Sequence, residues 1–141
     1  MILGIGVDIV EVARIRAAVD RYGEHFIRRV FTPAETAYCR KCAHPEQRFS
    51  TRFAAKEALL KALGTGWTGG LRFADVEVTN NELGAPSVQL HGEARAVADR
   101  MGVQRILVTL SHHRDFAVAQ VLLEGEAPAE AGSQPSGRTG C

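Results

Sequence analysis

Met1-Ile-Leu-Gly-Ile-Gly-Val-Asp-Ile-Val10 is an apolar run with a single carboxylate, Asp8, inside it. Residues 2–9 read as a buried strand. A carboxylate in such a strand is costly unless a cation or hydrogen bonds satisfy it. A second stretch, far along the chain, raises the same question. Arg52-Phe-Ala-Ala-Lys-Glu-Ala-Leu-Leu-Lys-Ala-Leu-Gly-Thr-Gly66 is a helix-like run carrying Lys56, Glu57 and Lys61. Two hard oxygen ligands with lysines nearby suggest a magnesium site that handles a phosphate ester.

Outward from the first run, a helix is expected over 11–22, with Val12, Ile15, Val19 and Tyr22 on one face and Arg14 and Arg21 opposite. Gly23 ends it. Thr32-Pro33-Ala34-Glu35 is a capping box with proline at the first helical position, so a short helix follows over 33–42 and Glu35 reads as its cap. Residues 46–63 make the strongest helix, with Phe49, Phe53, Leu60 and Leu63 as its stripe and Gly64 as its stop. Glu57 lies beside that stripe and Lys61 one turn further on the same side. Ser50 and Ala54 share that side and leave room. Lys56 falls almost within the stripe, where a lysine needs a partner or must snorkel.

Gly64–Gly70 reads as a flexible, glycine-rich loop. Strands are expected near 73–79 and 86–90, then a helix near 92–101 stopped by Gly102. A last hairpin joins Arg105–Ser111 to Phe116–Leu123 through His112-His-Arg-Asp115. This order lacks a regular βαβ alternation. It favours an α+β fold, an antiparallel sheet with packed helices, over a doubly wound sheet. At Glu124 the composition turns to Gly, Ala, Pro, Ser and Glu. The chain is therefore read as one domain, 1–123, with a disordered polar tail, 124–141.

The 141 residues suit one domain, and 45% hydrophobic with 23% charged residues is ordinary for a soluble globular protein. A net charge of +1 argues against bulk nucleic-acid binding, so electrostatic recognition must come from a local patch. No secretory signal and no membrane-length apolar stretch is visible. Three cysteines make no disulfide framework, and a reduced, cytoplasmic protein is expected. Cys39 and Cys42 form a CxxC near His44. No second pair follows to complete a zinc site, so two cysteines on a short helix is the favoured reading.

The residues alone leave alternatives open. Asp8 is either a metal ligand or a cap leading into the following helix. Gly4-x-Gly6 lacks the third glycine of a dinucleotide fingerprint. Glu57 is either a ligand or half of a surface pair with Lys61. Ser111-His112 ends an apolar strand where a polar pair suits a phosphate, though turn histidines are often simply solvated. Arg14 and Arg21 are either a wet helix face or a docking stripe for an acidic partner.

Four blocks together resemble the bacterial holo-acyl-carrier-protein synthases, the small 4'-phosphopantetheinyl transferases. They are Gly4-Ile-Gly-Val-Asp-Ile9; Phe31-Thr-Pro-Ala-Glu35; Arg52-Phe-Ala-Ala-Lys-Glu-Ala58 with Lys61-Ala-Leu-Gly-Thr-Gly66; and Ser111-His112 leading into Ala117-Val-Ala-Gln-Val121. The resemblance implies the family's fold and its reaction. The phosphopantetheine arm of coenzyme A moves to a serine of apo-acyl carrier protein, releasing adenosine 3',5'-bisphosphate. It implies that Asp8 and Glu57 hold Mg²⁺ with the pyrophosphate, that Glu57 is the base through a metal-bound water, and that Lys61 meets the leaving α-phosphate. It puts Arg52 and His112 at the 3'-phosphate and ribose, Gly84 and Pro86 at the adenine, and Gly64 in the same coenzyme site. Arg14 and Arg21, with Arg28 as a third member, would face the acidic helix of the carrier. The family also implies a homotrimer with active sites between subunits.

This sequence departs from the family where Leu83-Gly84 replaces a common Asn-Gly, and where Trp67 stands in place of a smaller residue. Two other readings compete. A non-catalytic module docking acidic proteins would need Arg14 and Arg21 but not Asp8, Glu57 and Lys61. A metal-dependent phosphodiesterase would need both carboxylates but no basic stripe.

Overall fold

The computed structural model describes residues 1–129. Its larger sheet is antiparallel, in the order β1 (Ile2–Glu11), β5 (Phe116–Gly125), β4 (Val103–His112), so β1 lies at an edge. Side chains alternate across a strand. On β1 the row Gly4, Gly6, Asp8, Val10 turns inward, while Ile5, Val7 and Ile9 stand outward and are 60%, 56% and 63% exposed. The expected buried strand is thus buried on one face only. On β5 the inward row, Ala117, Ala119, Val121 and Leu123, is completely buried.

Helix α4 (Pro45–Leu63) packs on this inner face. The seat explains the glycines of the opening run. A Cβ on Gly6 would lie 1.9 Å from the Ala58 carbonyl oxygen, and one on Gly4 2.2 Å from that of Ala62. Two strand residues advance about 6.7 Å and four helix residues about 6 Å, so the contacts Gly4–Ala62 and Gly6–Ala58 run in step. Phe49, Leu60 and Leu63 are buried as expected, but so are Ser50, Thr51, Arg52 and Lys56. This helix is covered on more than one side, and a single apolar stripe understates its burial.

The expected helix over 11–22 is α1 (Val12–Tyr22), with Val12 and Ile15 in the core. Tyr22, assigned to the same face, is exposed, because the helix ends there and Gly23 turns the chain at φ 57°. A short helix not anticipated, α2 (Glu24–Val30), follows at once. Then comes α3 (Pro33–Lys41), whose capping box is formed: Thr32 Oγ1 accepts from Glu35 N at 3.1 Å and Glu35 Oε1 from Thr32 N at 3.0 Å. Glu35 does more than cap. It is buried, and Oε1 also accepts from Lys56 Nζ at 2.7 Å while Oε2 accepts from Val78 N at 3.0 Å. Lys56 Nζ donates further to the carbonyls of Phe73, at 3.0 Å, and Val76. Burial pulls the Lys56 pKa down and Glu35 opposes that pull. The lysine in the stripe has its partner.

Cys39 lies on α3 and Cys42 is its C-cap. Burial pushes the Cys39 thiol up to about 12, which leaves it protonated and unreactive.

The segment expected as a strand over 73–79 begins as a 3₁₀ turn (Phe73–Asp75) before β2 (Val76–Asn80), which pairs with β3 (Pro86–Leu90) as a separate two-stranded antiparallel sheet. Helix α5 (Gly92–Met101) ends at Gly102 as expected. His112, placed in the hairpin turn by sequence, instead closes β4 opposite Ala117. Strand β5 runs to Gly125, past the expected boundary at 123. Glu124 pairs with Ile2 and Arg105, and Gly125 N donates to the Met1 carbonyl at 3.0 Å. The remainder of the expected polar tail, from residue 130, lies outside the described residues. The architecture is α+β in one small domain. No helix among the described residues is long and apolar enough to cross a membrane.

Candidate active site

Asp8 reaches the inner row at the open edge of β1, with its side chain 16% exposed. Lys61, on the last turn of α4, donates to Asp8 Oδ1 at 3.1 Å and to the Val7 carbonyl at 3.0 Å. As an edge strand, β1 has carbonyls free to accept such a donor. The contacts remove one of the alternatives left open for each residue. Asp8 is not the cap of α1, since Glu11 holds that position without a side-chain bond. Lys61 bonds Asp8 across the strand–helix seam, and no Glu57–Lys61 ion pair forms among the described residues.

Glu57, one helical turn before Lys61, is partly buried. Its Oε1 accepts from the indole Nε1 of Trp67 at 3.3 Å. Asp8 and Glu57 thus lie on the two elements that pack together, β1 and α4, and Lys61 bonds the first of them. Among the described residues no three His, Cys, Asp or Glu side chains gather into a cage. Two carboxylates and a lysine suit Mg²⁺, which is commonly bound by one or two carboxylates and completes its shell with water and substrate phosphates. The donor set fits that ion.

A second group lies on another side of α4. Arg52 is only 2% exposed. Its Nη2 donates to Asn80 Oδ1, its guanidinium sits 4.3 Å above the Tyr38 ring, and its buried Nε has no hydrogen-bond partner among the described residues. Asn80 Nδ2 in turn donates to the Gly84 carbonyl at 2.9 Å, in the turn that leads into Pro86. That turn closes with Gly84 at φ 84°, and Asn81 Oδ1 accepts from Leu83 N and Ala85 N at 2.9 Å. Arg52, Gly84 and Pro86 are thus brought together, apart from the Asp8–Lys61 pair, and Arg52 is enclosed rather than open to solvent. Gly64 caps α4 at φ 75°, its N–H donating to the carbonyls of Leu60 and Lys61 at 3.0 and 3.2 Å. His112 is exposed at the far end of β4, in the row that runs through Ala117 to Val10.

Arg14 and Arg21 are exposed on α1, seven positions apart and so within about 20° of one face. Arg28 and Arg29, in the last turn of α2, are exposed as well.

A family model described as the 4'-phosphopantetheinyl transferase superfamily matches residues 4–121. The chain belongs to this superfamily. It is 46% identical to the holo-[acyl-carrier-protein] synthase of Solibacter usitatus over 124 residues, 88% of this chain and 99% of that protein. It is 48% identical to the protein of the same name from Koribacter versatilis, with the same coverage. Among solved structures it resembles the Neisseria meningitidis holo-[acyl-carrier-protein] synthase, with TM-score 0.81, 33% identity, and 88% and 99% of the two chains covered. It also resembles the Helicobacter pylori holo-[acyl-carrier-protein] synthase in complex with coenzyme A, with TM-score 0.75, 32% identity, and 85% and 99% covered.

Within this transferase fold, four residues stand outside the site residues named from the sequence. Asn80 links Arg52 to the β2–β3 turn. Glu35 and Lys56 anchor that hairpin to α4. Trp67 touches Glu57. A lysine in an apolar stripe signalled the buried pair, but neither Asn80 nor Trp67 carried a spacing that named its partner.

Proposed function

We propose that the chain transfers the 4'-phosphopantetheine arm of coenzyme A to a serine of apo-acyl carrier protein, as its relatives' names describe. The observation that carries this reading is the Asp8–Lys61 pair at an open sheet edge, with Glu57 one helical turn before Lys61, in a chain of this superfamily. Asp8 and Glu57 are the proposed Mg²⁺ ligands. When bound, the ion supplies positive charge to the pyrophosphate oxygens. Glu57 accepts the serine proton as the serine oxygen attacks the pantetheine-bearing phosphorus. The bond from that phosphorus to the bridging oxygen breaks, and the leaving adenosine 3',5'-bisphosphate carries away its electron pair. Lys61 meets the growing charge on the α-phosphate, and Asp8 orients its ammonium beforehand.

Arg52, His112, Gly64, Gly84 and Pro86 are the proposed contacts to the rest of coenzyme A. For Arg52 this role requires exchanging Asn80 for the 3'-phosphate. Arg14 and Arg21 are proposed to meet acidic side chains of the carrier, which a near-neutral protein does through a local stripe. A homotrimer is proposed as the working state. The exposed row Ile5, Val7, Ile9, with Phe116 at 45% exposure, suits burial against a second copy. Coenzyme A and a carrier of fatty-acid synthesis as substrates fit a cytoplasmic location.

The test is intact-mass spectrometry of an apo-acyl carrier protein incubated with this protein, coenzyme A and Mg²⁺, alongside an EDTA control. The expected result is a phosphopantetheine-sized mass gain that EDTA abolishes. No gain across several carriers, with coenzyme A hydrolysed or untouched, would overturn the transfer reading.

A further inference from the structure

We propose that Trp67 is a positioning residue for Glu57: its indole N–H holds the carboxylate in the orientation that receives a divalent cation. This rests on the transfer reading above, which makes Glu57 a metal ligand. The geometry is built from both sides of the loop that carries Trp67. The Trp67 ring lies against Phe73, centroids 3.8 Å apart, and Phe73 stacks on Phe53 at 5.5 Å with only 20° between planes. Phe53 stands one helical turn before Glu57 on α4. The Phe73 carbonyl is separately held by Lys56 Nζ at 3.0 Å. The aromatic ladder and the buried lysine thus fix Phe73 to α4 twice, and Trp67 rests on Phe73.

The 3.3 Å bond from Nε1 to Glu57 Oε1 is therefore delivered from a braced support, not from a free loop. An indole nitrogen only donates, so it can hold the carboxylate without competing as a metal ligand. Among the described residues Glu57 Oε2 accepts no hydrogen bond and is left for a hard cation. A glutamate held this way has less rotamer freedom to lose on binding. Ligating carboxylates are themselves commonly hydrogen-bonded, and loss of such outer partners weakens metal binding.

Trp67 is the chain's only tryptophan, so tryptophan emission reports on the surroundings of this one indole. Two measurements test the proposal. In the first, Trp67→Phe keeps an aromatic ring on Phe73 while removing the N–H together with the second ring of the indole. The Mg²⁺ concentration for half-maximal transfer should rise about 10-fold, with the KM for the carrier unchanged. In the second, wild-type emission is followed during Mg²⁺ titration with coenzyme A present and no carrier. It should change over the same Mg²⁺ range, and Glu57→Gln should abolish the change. A half-saturating Mg²⁺ within about two-fold of wild type in Trp67→Phe, or emission indifferent to Mg²⁺, would overturn the positioning role. A wild type that makes no holo-carrier would instead defeat the transfer reading, and the emission titration would still decide whether Trp67 senses a cation at Glu57.

Discussion

Gly6→Ala adds one methyl group at the tightest point of the molecule. The new Cβ would sit 1.9 Å from the Ala58 carbonyl oxygen and 2.9 Å from both the Ala58 carbonyl carbon and the Ala62 nitrogen. All three atoms are helix backbone, so no side chain can swing aside. Ordinary contact begins near 3.4 Å, and α4 must therefore retreat from β1 by more than an ångström. That retreat loosens the close packing of Ala54, Ala58 and Leu59 against Ala119 and Val121, all of them completely buried. Overpacking of ordinary core sites costs about 1–3 kcal/mol. With rigid backbone on both sides, about 3 kcal/mol is expected here, or a fall in Tm of about 10 °C. Asp8 is two residues along the same strand and Lys61 is on the displaced helix. Misplacement on this scale can also lower turnover about 100-fold. Urea unfolding followed by circular dichroism measures the first effect, and the carrier-protein mass assay measures the second. A Gly6→Ala protein within about 1 kcal/mol of wild type would show that α4 is not seated by bare backbone on β1, and the geometry of the site would need another explanation.

Glu57→Gln should preserve the helix and lower turnover about 100-fold or more; a near-normal rate in the mass assay would remove Glu57 from the reaction. Arg14→Ala should raise the KM for the carrier several-fold at low salt, and the difference should shrink as salt screens the pair. An unchanged carrier KM with a raised one for coenzyme A would refute the docking stripe. Lys56→Met leaves the Glu35 carboxylate buried beside an apolar group and should cost about 3–5 kcal/mol in urea unfolding, partly recovered by adding Glu35→Gln; a single-variant loss under about 1 kcal/mol would count against the buried pair. Glu77 is held below the ordinary glutamate range, chiefly by the Thr32 hydroxyl donating at 2.6 Å and further by His91. Its folded pKa is depressed, so its stabilisation is present above the unfolded-state pKa and is lost as pH falls through the folded one. Glu77→Gln should therefore flatten the acid limb of a stability–pH curve, and an unchanged limb would contradict that assignment.

Asp8 was legible because its signal is local: it stood out as a charge in the wrong company. By spacing, Gly4 and Gly6 read only as an incomplete dinucleotide fingerprint, because their close approach to Ala62 and Ala58 depends on a helix far along the chain. What escaped the sequence depends on encounters between distant segments. Helix α2 has seven residues and no side-chain cap at Gly23, too little signal to register. Strand β5 outran its expected end because pairing with Ile2 and Met1, at the other terminus, extends the ladder. The exposure of Tyr22 and the enclosure of Arg52 follow from where neighbouring elements stop and arrive, which periodicity does not encode.

Helix α4 shows how these two kinds of information meet. Arg52 and Lys56 form one i,i+4 ridge, and Glu57 and Lys61 form another, offset by about 140° around the axis. By spacing alone both are ridges of charged residues on one helix. The fold gives them opposite environments. Arg52 and Lys56 turn inward and bind Asn80, Val76, Phe73 and Glu35. Glu57 and Lys61 turn to the sheet edge and bind Trp67 and Asp8. Because both ridges belong to one continuous helix, the hairpin carrying Gly84 and Pro86 is tied to the same rigid rod as the carboxylate at Glu57. A substrate that bridges the hairpin and the sheet edge would be measured against the length and twist of α4, and changes to the inward ridge should alter how such a substrate is aligned without touching the groups that react.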